Sequence, residues 1–217
     1  TPAVAQHTLM LLLALATRLP DYQQAVAAGR WQQASQFCLL DYPIMELHGK
    51  TLGLLGHGEL GSAVGRLAEA FGMRVLLGQL PGRPARSDRL PLDELLPHVD
   101  ALSLHCPLNE HTRDLIGAAQ LQAMKPNALL INTARGGLVN EQALADALAI
   151  SDHGTLVATG APDGLRATLG RHDGHLHAVH VFDDVGLEHR VAEVVGLDVL
   201  GHEVDLAFAI ALNDLFD

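Results

Sequence analysis

Three glycines between an apolar run and an amphipathic segment constrain this chain most. Residues 52–55 predict a buried parallel strand, and Gly56, Gly58 and Gly61 follow it in the spacing G-x-G-x-x-G. The first glycine permits a tight turn, the second lets the backbone approach a pyrophosphate, and the third lets helix and strand pack closely. The start of the following helix adds free N–H groups and a positive dipole end. The motif in this context therefore predicts a dinucleotide-binding unit.

The segments after the motif predict helices that alternate with strands. The first of these helices carries Leu60, Val64, Leu67 and Phe71 on one apolar face. Further strands are predicted at residues 73–77, 101–104 and 128–131, and further helices at 91–96 and 141–149. Such alternation over residues 49–149 predicts an α/β fold with a doubly wound parallel sheet, similar to a Rossmann fold.

The residues before this unit, 1–48, predict a linker helix and a connection. Thr1 and Pro2 form a typical helix start, a capping hydroxyl followed by proline. The helix predicted up to Arg18 is apolar on nearly every side, so it must be buried in a core or against a second subunit. Residues 21–48 predict another helix and an irregular segment that contains Trp31, the only tryptophan.

Composition excludes several classes of partner. The net charge of −11 argues against nucleic acid and against an anionic membrane surface. Cys38 and Cys106 form no C-x-x-C pair, which favours a reducing, cytoplasmic setting. The longest apolar run, residues 9–16, is too short to span a bilayer.

The end of the second predicted strand bears on cofactor choice. A carboxylate there would accept hydrogen bonds from the adenosine ribose and repel a 2′-phosphate. This chain has Gln79 instead, followed by Arg83 and Arg86. We therefore expect Gln79 and Arg83 to contact the cofactor and NADP to be favoured over NAD. The alternative, that the arginines only decorate a solvated loop, stays open.

Four stretches in series resemble the D-isomer-specific 2-hydroxyacid dehydrogenase family. They are TPAVAQHTL from Thr1, GKTLGLLGHGELG from Gly49, LHCPLNEHTRDLI from Leu104 and MKPNALLINTARGGLVNEQALADAL from Met124. The resemblance, of the glyoxylate or hydroxypyruvate reductase kind, implies an oxidoreductase that transfers a hydride between NAD(P)H and a small 2-keto or 2-hydroxy acid. It also implies a homodimer packed around the first helix, which joins two domains.

The same resemblance implies roles for single residues. Arg135 would be catalytic, gripping the carboxylate and carbonyl oxygen of the substrate, because a forked guanidinium holds a carboxylate in a fixed orientation. The other implied contacts are with the cofactor: the pyrophosphate loop of Gly56, His57, Gly58, Glu59, Leu60 and Gly61, the cleft residues Cys106, Pro107 and Thr112, and the nicotinamide-side residues Thr133 and Ala134.

The chain departs from the family near residue 150. Residues 151–217 carry 12 acidic and 3 basic residues and 7 of the 13 histidines, whereas residues 1–150 have a net charge of only −2. The family's half substrate domain before the matched region and its later Glu-Pro and Pro-His elements, the last of which supplies the proton donor, have no match. We therefore expect a catalytically incomplete chain, and a non-catalytic dinucleotide-binding module or remnant is the alternative function.

Residues 150–217 form an atypical acidic, histidine-rich tail. Strands are predicted at 154–159 and 177–182 and a helix at 204–216, which would let the tail complete the sheet. The histidines at 172–180 and the aspartates at 183–184 suggest a zinc or nickel site. They match no established ligand spacing, so we assign no metal. A histidine-rich surface, or a gene fusion, frameshift or cloning junction near Ala149, would also explain the tail.

Overall fold

The computed structural model describes residues 1–150, 155–159 and 207–211. Helices and strands alternate through most of this range. The helices are α1 (Pro2–Ala16), α2 (Leu19–Ala27), α3 (Arg30–Gln33), α4 (Glu59–Ala70), α5 (Leu92–Leu95), α6 (Ala118–Ala123) and α7 (Glu141–Ile150), with short 3-10 turns at Leu96–His98 and Gly136–Leu138. The strands are β1 (Thr51–Leu55), β2 (Arg74–Gly78), β3 (Ala101–Leu104), β4 (Leu129–Asn132), β5 (Thr155–Thr159) and β6 (Ala207–Ala211).

The strands form one sheet in the order β2-β1-β3-β4-β6-β5. The first four are parallel, which confirms the predicted α/β fold, and β6 runs antiparallel to both β4 and β5. Every residue of β1, β3 and β4 is buried, because apolar clusters cover both faces of the sheet. In register, Leu55 pairs with Gly78 and with Leu104, and Leu104 pairs with Asn132. The carboxyl ends of the four parallel strands therefore lie at one edge.

Helix α1 packs against α4 and β4 and is buried along one side only. Leu11 and Leu12 are almost fully buried, but Met10 is 44% exposed, so the expected burial on all sides does not hold within this chain. The helix ends at Ala16, two residues before the predicted end, and Arg18 has a left-handed φ of 54°. Trp31 lies on α3, and no regular element follows before β1.

Within the described part of the chain, no single helix has the length and apolar character to cross a membrane. The pair α1 and α2 meets that test jointly on length and composition, with a bend of 62° between them.

The buried stripe of α4 differs from the predicted one. Val64 is buried as expected, but Leu67 and Phe71 are 39% and 45% exposed. The helix buries small residues instead, Gly61, Gly65 and Ala68 among them. A Cβ at Gly65 would lie 3.3 Å from Leu54 Cδ1, so these small residues allow a close approach to β1 that larger side chains would prevent.

Of the elements predicted after residue 150, the first strand is confirmed and the final helix is wrong. The strand expected at 154–159 is β5, whereas the segment at 204–216, predicted to be a helix, includes the strand β6. The sequence Ala-Phe-Ala-Ile-Ala alternates small and large residues with the period of a strand, and its backbone pairs with the otherwise open edge of β4. The strand expected at 177–182 and the histidines at 172–180 lie outside the described residues.

Candidate functional site

Four loops meet at the carboxyl edge of the parallel strands. They are the glycine turn after β1 (residues 56–61), the loop after β2 (79–89), the loop after β3 (105–112) and the loop after β4 (133–137). Open α/β sheets bind their ligands at this edge because strand ends and helix starts converge there. All fourteen predicted site residues lie in these loops or in the first turn of α4.

The glycine turn is built so that side chains are excluded at two positions. Gly56 has φ of +100°, and a Cβ there would run into the carbonyl group of His105 and lie 2.9 Å from Cys106 N. A Cβ at Gly61 would collide with the carbonyl oxygen of Gly56. Gly58, in contrast, faces open space, since a Cβ there would have no heavy atom within 4 Å. The turn is therefore packed on its inner side and open at its centre.

The N-terminus of α4 opens from this turn. Gly58 is the N-cap, no side chain caps the helix, and the hydrogen bond of Ser62 N–H to Gly58 C=O is 2.9 Å long. The N–H groups of the preceding helical residues have no intrahelical acceptor and concentrate a partial positive charge. Leu60 is partly buried, and His57 is exposed. Exposed Glu59 accepts a 2.6 Å hydrogen bond from the Thr1 hydroxyl.

His105 and Cys106 form the wall against which the glycine turn packs. His105 Nε2 lies 2.9 Å from Ser103 Oγ, and burial lowers the pKa of His105 to about 4. The imidazole is therefore neutral at neutral pH. Burial also raises the pKa of Cys106 to about 11, so its thiol is protonated and unreactive.

The loop after β3 is fastened by Thr112. Its buried hydroxyl donates to the Pro107 carbonyl at 2.7 Å and accepts from Asn109 N–H at 2.9 Å. Pro107 itself is exposed at the edge of the cleft. The side chain of Thr112 therefore stabilises the loop from inside, and its contact with a cofactor stays a prediction.

The loop after β2 begins with Gln79, whose side chain turns into the loop. Its Nε2 lies 3.1 Å from each of three backbone carbonyl oxygens, those of Leu80, Arg83 and Pro84. Its Oε1 is buried and has no hydrogen-bond partner among the described residues. Arg83 is exposed.

Arg86 and Asp88 neutralise each other in the same loop. They form a two-point ion pair, Nε to Oδ1 at 2.9 Å and Nη2 to Oδ2 at 3.1 Å. The hydrogen bond and the charge of Asp88 raise the pKa of Arg86. Arg83, by comparison, has no carboxylate partner within the range that the structure describes.

Arg135 lies in the turn after β4, and Asn132 shapes that turn. The fully buried Asn132 accepts from Ala134 N–H at 3.1 Å and Arg135 N–H at 3.3 Å, and it donates to the Arg135 carbonyl at 2.7 Å. The Arg135 side chain is exposed, and its Nη1 donates to Ala134 C=O at 2.7 Å. The Thr133 hydroxyl lies 2.9 Å from that of buried Thr8 on α1. The turn is thus held from the strand and from the first helix.

Sequence reasoning missed the residues that support this site. Asn132 and Thr8 hydrogen-bond to predicted residues and His105 packs against the glycine turn, rather than forming the open surface. Two of the three stand directly beside predicted residues in the sequence, His105 before Cys106 and Asn132 before Thr133. Adjacency in a motif was the available signal, whereas the Thr8 contact spans 125 residues and leaves no local trace.

The geometry fits a dinucleotide and offers no metal centre among residues 1–150. The open centre at Gly58 and the uncapped start of α4 suit a pyrophosphate, which needs close backbone approach and N–H donors. No group of three or more His, Cys, Asp or Glu side chains in the described part of the chain could hold a metal ion.

Comparison with known protein families gives a match over most of this range. Residues 9–157 match the family described as D-isomer specific 2-hydroxyacid dehydrogenase, NAD binding domain.

Individual relatives agree. Glycerate dehydrogenase of Methylorubrum extorquens is 43% identical over 145 residues, which are 67% of this chain and 45% of that protein. Among solved structures, the TT0316 protein of Thermus thermophilus has a TM-score of 0.60 at 36% identity, covering 86% of this chain and 52% of its own. D-Lactate dehydrogenase of Aquifex aeolicus, complexed with NAD and lactic acid, has a TM-score of 0.58 at 36% identity, covering 67% of this chain and 43% of its own. The chain therefore spans about half the length of the relatives that it matches.

Proposed function

Because the chain belongs to the D-isomer specific 2-hydroxyacid dehydrogenase family, of which it carries the NAD-binding domain, we propose that it serves an oxidoreductase acting on a small 2-keto or 2-hydroxy acid. The observation that carries the proposal is the glycine turn, open at Gly58 and followed by the uncapped start of α4. Residues 56–61 would hold the pyrophosphate, and Cys106, Pro107 and Thr112 would border the cleft. When bound, the nicotinamide supplies or accepts the hydride.

Arg135 is the proposed substrate-binding residue. Arg135 directly follows Thr133 and Ala134, the residues proposed for the nicotinamide side, and its Nη1 donates to the Ala134 carbonyl at the carboxyl edge. A bidentate contact to the substrate carboxylate would fix the carbonyl carbon for hydride transfer. The Asn132 hydrogen bonds keep the Arg135 backbone in one conformation, which limits the entropy lost when substrate binds.

Proton transfer is assigned to no described residue. His105 is the buried imidazole at this edge, but its Nε2 is engaged with Ser103 and its pKa is lowered to about 4. A general acid that protonates a carbonyl oxygen needs a pKa nearer the working pH. The family's histidine and glutamate have no counterpart in the matched order, so a non-catalytic dinucleotide-binding module remains the second candidate function.

NADPH is the proposed cofactor in preference to NADH. No carboxylate stands at the end of β2, and Arg83 has no acidic partner in the described residues, whereas Arg86 is neutralised by Asp88. An unpaired guanidinium favours a 2′-phosphate, and a carboxylate at the strand end would repel it. We propose glyoxylate or hydroxypyruvate as the substrate. The similarity to a glycerate dehydrogenase supports hydroxypyruvate as the substrate, because glycerate is the reduced form of hydroxypyruvate.

A homodimer is the proposed assembly, in a cytoplasmic setting. Large exposed hydrophobic side chains in the described part of the chain are concentrated before β1; they are Met10, Leu19, Val26, Trp31, Phe37, Leu40 and Ile44. Such a concentration on a helix and its connection is typical of a subunit interface. We accordingly propose that residues 1–48 serve as linker and interface, 49–149 as the dinucleotide-binding domain and 150–217 as an atypical tail.

Sedimentation tests the assembly. The chain should sediment at twice its 23.1 kDa mass, and Phe37→Asp, at a side chain that is 93% exposed, should shift it to monomer without lowering the melting temperature. Wild-type protein that sediments as a monomer at concentrations of tens of micromolar would contradict a stable dimer.

Two measurements test the activity. Calorimetric titration with NADPH and with NADH should give micromolar binding, tighter for NADPH; the absence of binding by either would refute the dinucleotide site. NADPH oxidation is then followed with glyoxylate or hydroxypyruvate, with Arg135→Gln as the control variant. Turnover that is lost in Arg135→Gln supports the dehydrogenase, whereas cofactor binding without turnover supports the non-catalytic module.

A further inference from the structure

Gln79 occupies the position where a dinucleotide-binding domain places its ribose-binding residue, yet its side chain faces the protein. The amide nitrogen lies 3.1 Å from the carbonyl oxygens of Leu80, Arg83 and Pro84. The opposite orientation of the amide would place Oε1 against three carbonyl oxygens, so chemistry fixes the assignment. The two N–H groups of the amide are thus shared among backbone acceptors of the loop and are not directed at the cleft.

The unpaired Oε1 shows that this arrangement has a cost. A buried acceptor without a partner costs about 1–3 kcal/mol, and Gln79 Oε1 is such an atom. An apolar side chain would avoid the cost, and a carboxylate would lose all three donor contacts. What an amide offers here, and neither alternative does, is a pair of N–H donors that draws the carbonyls of residues 80–84 together.

The rest of the loop is held at its base and on its outer side. At the base, Gln79 N–H donates to Leu90 C=O at 2.7 Å and Leu90 N–H donates to Leu77 C=O at 2.9 Å. On the outer side, Gly82, with φ of +69°, is in contact with the His111 ring of the loop after β3, and a Cβ there would lie 3.0 Å from His111 Nε2. Arg83 directly follows this glycine and its carbonyl is one of the three that Gln79 binds.

From these contacts we propose that Gln79 is a positioning residue for cofactor choice: its amide fixes residues 80–84 so that Arg83 meets the 2′-phosphate, while Gln79 itself does not contact the ribose. The proposal rests on the NADPH preference proposed above. It differs from the sequence-based expectation that Gln79 contacts the cofactor. It also makes Gln79 act only through Arg83.

A double-mutant cycle tests this dependence. Calorimetry measures the Kd of NADPH, NADH and 2′-AMP for wild type, Gln79→Met, Arg83→Gln and the double variant, with exposed Arg66→Gln as a control for lost charge. We expect Gln79→Met to weaken NADPH and 2′-AMP binding about fivefold or more and to leave NADH binding within about twofold. In the Arg83→Gln background, Gln79→Met should change NADPH binding by no more than about twofold.

Two results would overturn the proposal while leaving the cofactor preference intact. One is an equal loss of NADH and NADPH affinity in Gln79→Met, which would mean that Gln79 touches the ribose common to both. The other is the same loss of NADPH affinity with and without Arg83. If Arg83→Gln leaves the NADPH-to-NADH ratio at the wild-type value, the proposed NADPH preference itself fails, and the role of Gln79 fails with it.

Gln79→Glu provides a second variant in case Gln79→Met unfolds. Its carboxylate would face three carbonyl oxygens and release the loop, so NADPH affinity should fall about fivefold or more. NADPH affinity at the wild-type value in Gln79→Glu, despite the loss of the three donor contacts, would refute the proposal. Near-ultraviolet circular dichroism at the titration temperature confirms that each variant is folded before its affinities are compared.

Discussion

Substituting alanine for two glycines of the same turn should separate folding from cofactor binding. At Gly56, φ of +100° and the collision of a Cβ with the His105 carbonyl group make alanine incompatible with the native turn. A non-glycine residue in such a conformation costs about 1–3 kcal/mol before the collision is counted, so Gly56→Ala should lose at least about 2 kcal/mol of stability. The free energy of unfolding, measured with urea, reports this loss.

Gly58→Ala should behave in the opposite way. Its φ of −83° suits any residue, and a Cβ there meets no heavy atom within 4 Å. Reduced freedom of the unfolded chain stabilises alanine by about 0.4–1 kcal/mol, and loss of a favoured N-cap residue opposes this by a comparable amount. The net change in stability should therefore stay within about 1 kcal/mol. The methyl group would occupy the space proposed for the pyrophosphate, so NADPH affinity should fall tenfold or more, about 1.4 kcal/mol.

Gly117 supplies the matched control. It is also an N-cap glycine, at the start of α6, with a similar backbone conformation of φ −111° and ψ −167°. Gly117→Ala should repeat the small stability change of Gly58→Ala without altering NADPH binding in calorimetric titration. If Gly58→Ala binds NADPH as wild type does, the pyrophosphate does not lie against Gly58, and the reasoning from the open centre of the turn is refuted.

Three other predictions concern polar side chains, two beside the site and one at the amino-terminal edge of the sheet. Asn132→Ala removes three hydrogen bonds from the turn and should destabilise the protein by about 2–4 kcal/mol, with faster amide exchange at Arg135; unchanged exchange would argue against a supporting role. Burial lowers the pKa of His105 to about 4 in the folded protein, so only the unfolded chain takes up a proton at this residue as pH falls below about 6.5. The free energy of unfolding should therefore be highest above pH 6.5 and fall by up to about 3 kcal/mol toward pH 4. Urea titrations at several pH values should show this slope, and His105→Asn should remove it. Burial alone would raise the pKa of Asp100, but hydrogen bonds from Lys125 and from the Thr51 backbone N–H lower it overall. The ionised carboxylate therefore stabilises the fold above its unfolded pKa, and this stabilisation is lost as pH falls through its folded pKa. Lys125→Met should raise the pKa of Asp100 in an NMR titration, and an unchanged value would contradict the pairing.

The parallel sheet and the glycine turn of the candidate site could both be predicted from the amino-acid sequence alone. Continuous apolar runs predicted the parallel strands to within one or two residues, because a strand buried on both faces needs no alternation. The glycine spacing located the turn, because backbone conformation at Gly56 is a local property. Parallel strands then bring their following loops to one edge whatever the loops contain.

The contacts that support the loops, and the faces that the helices bury, depend on the folded chain. The burial of Gly65 rather than Leu67 on α4 depends on the distance to Leu54 of β1, and the strand conformation of β6 depends on the unpaired edge of β4. The direction of the Gln79 amide depends on carbonyl groups that the loop assembles only when folded. These outcomes depend on partners distant in sequence or on a folded loop, so a linear pattern of residues does not contain them.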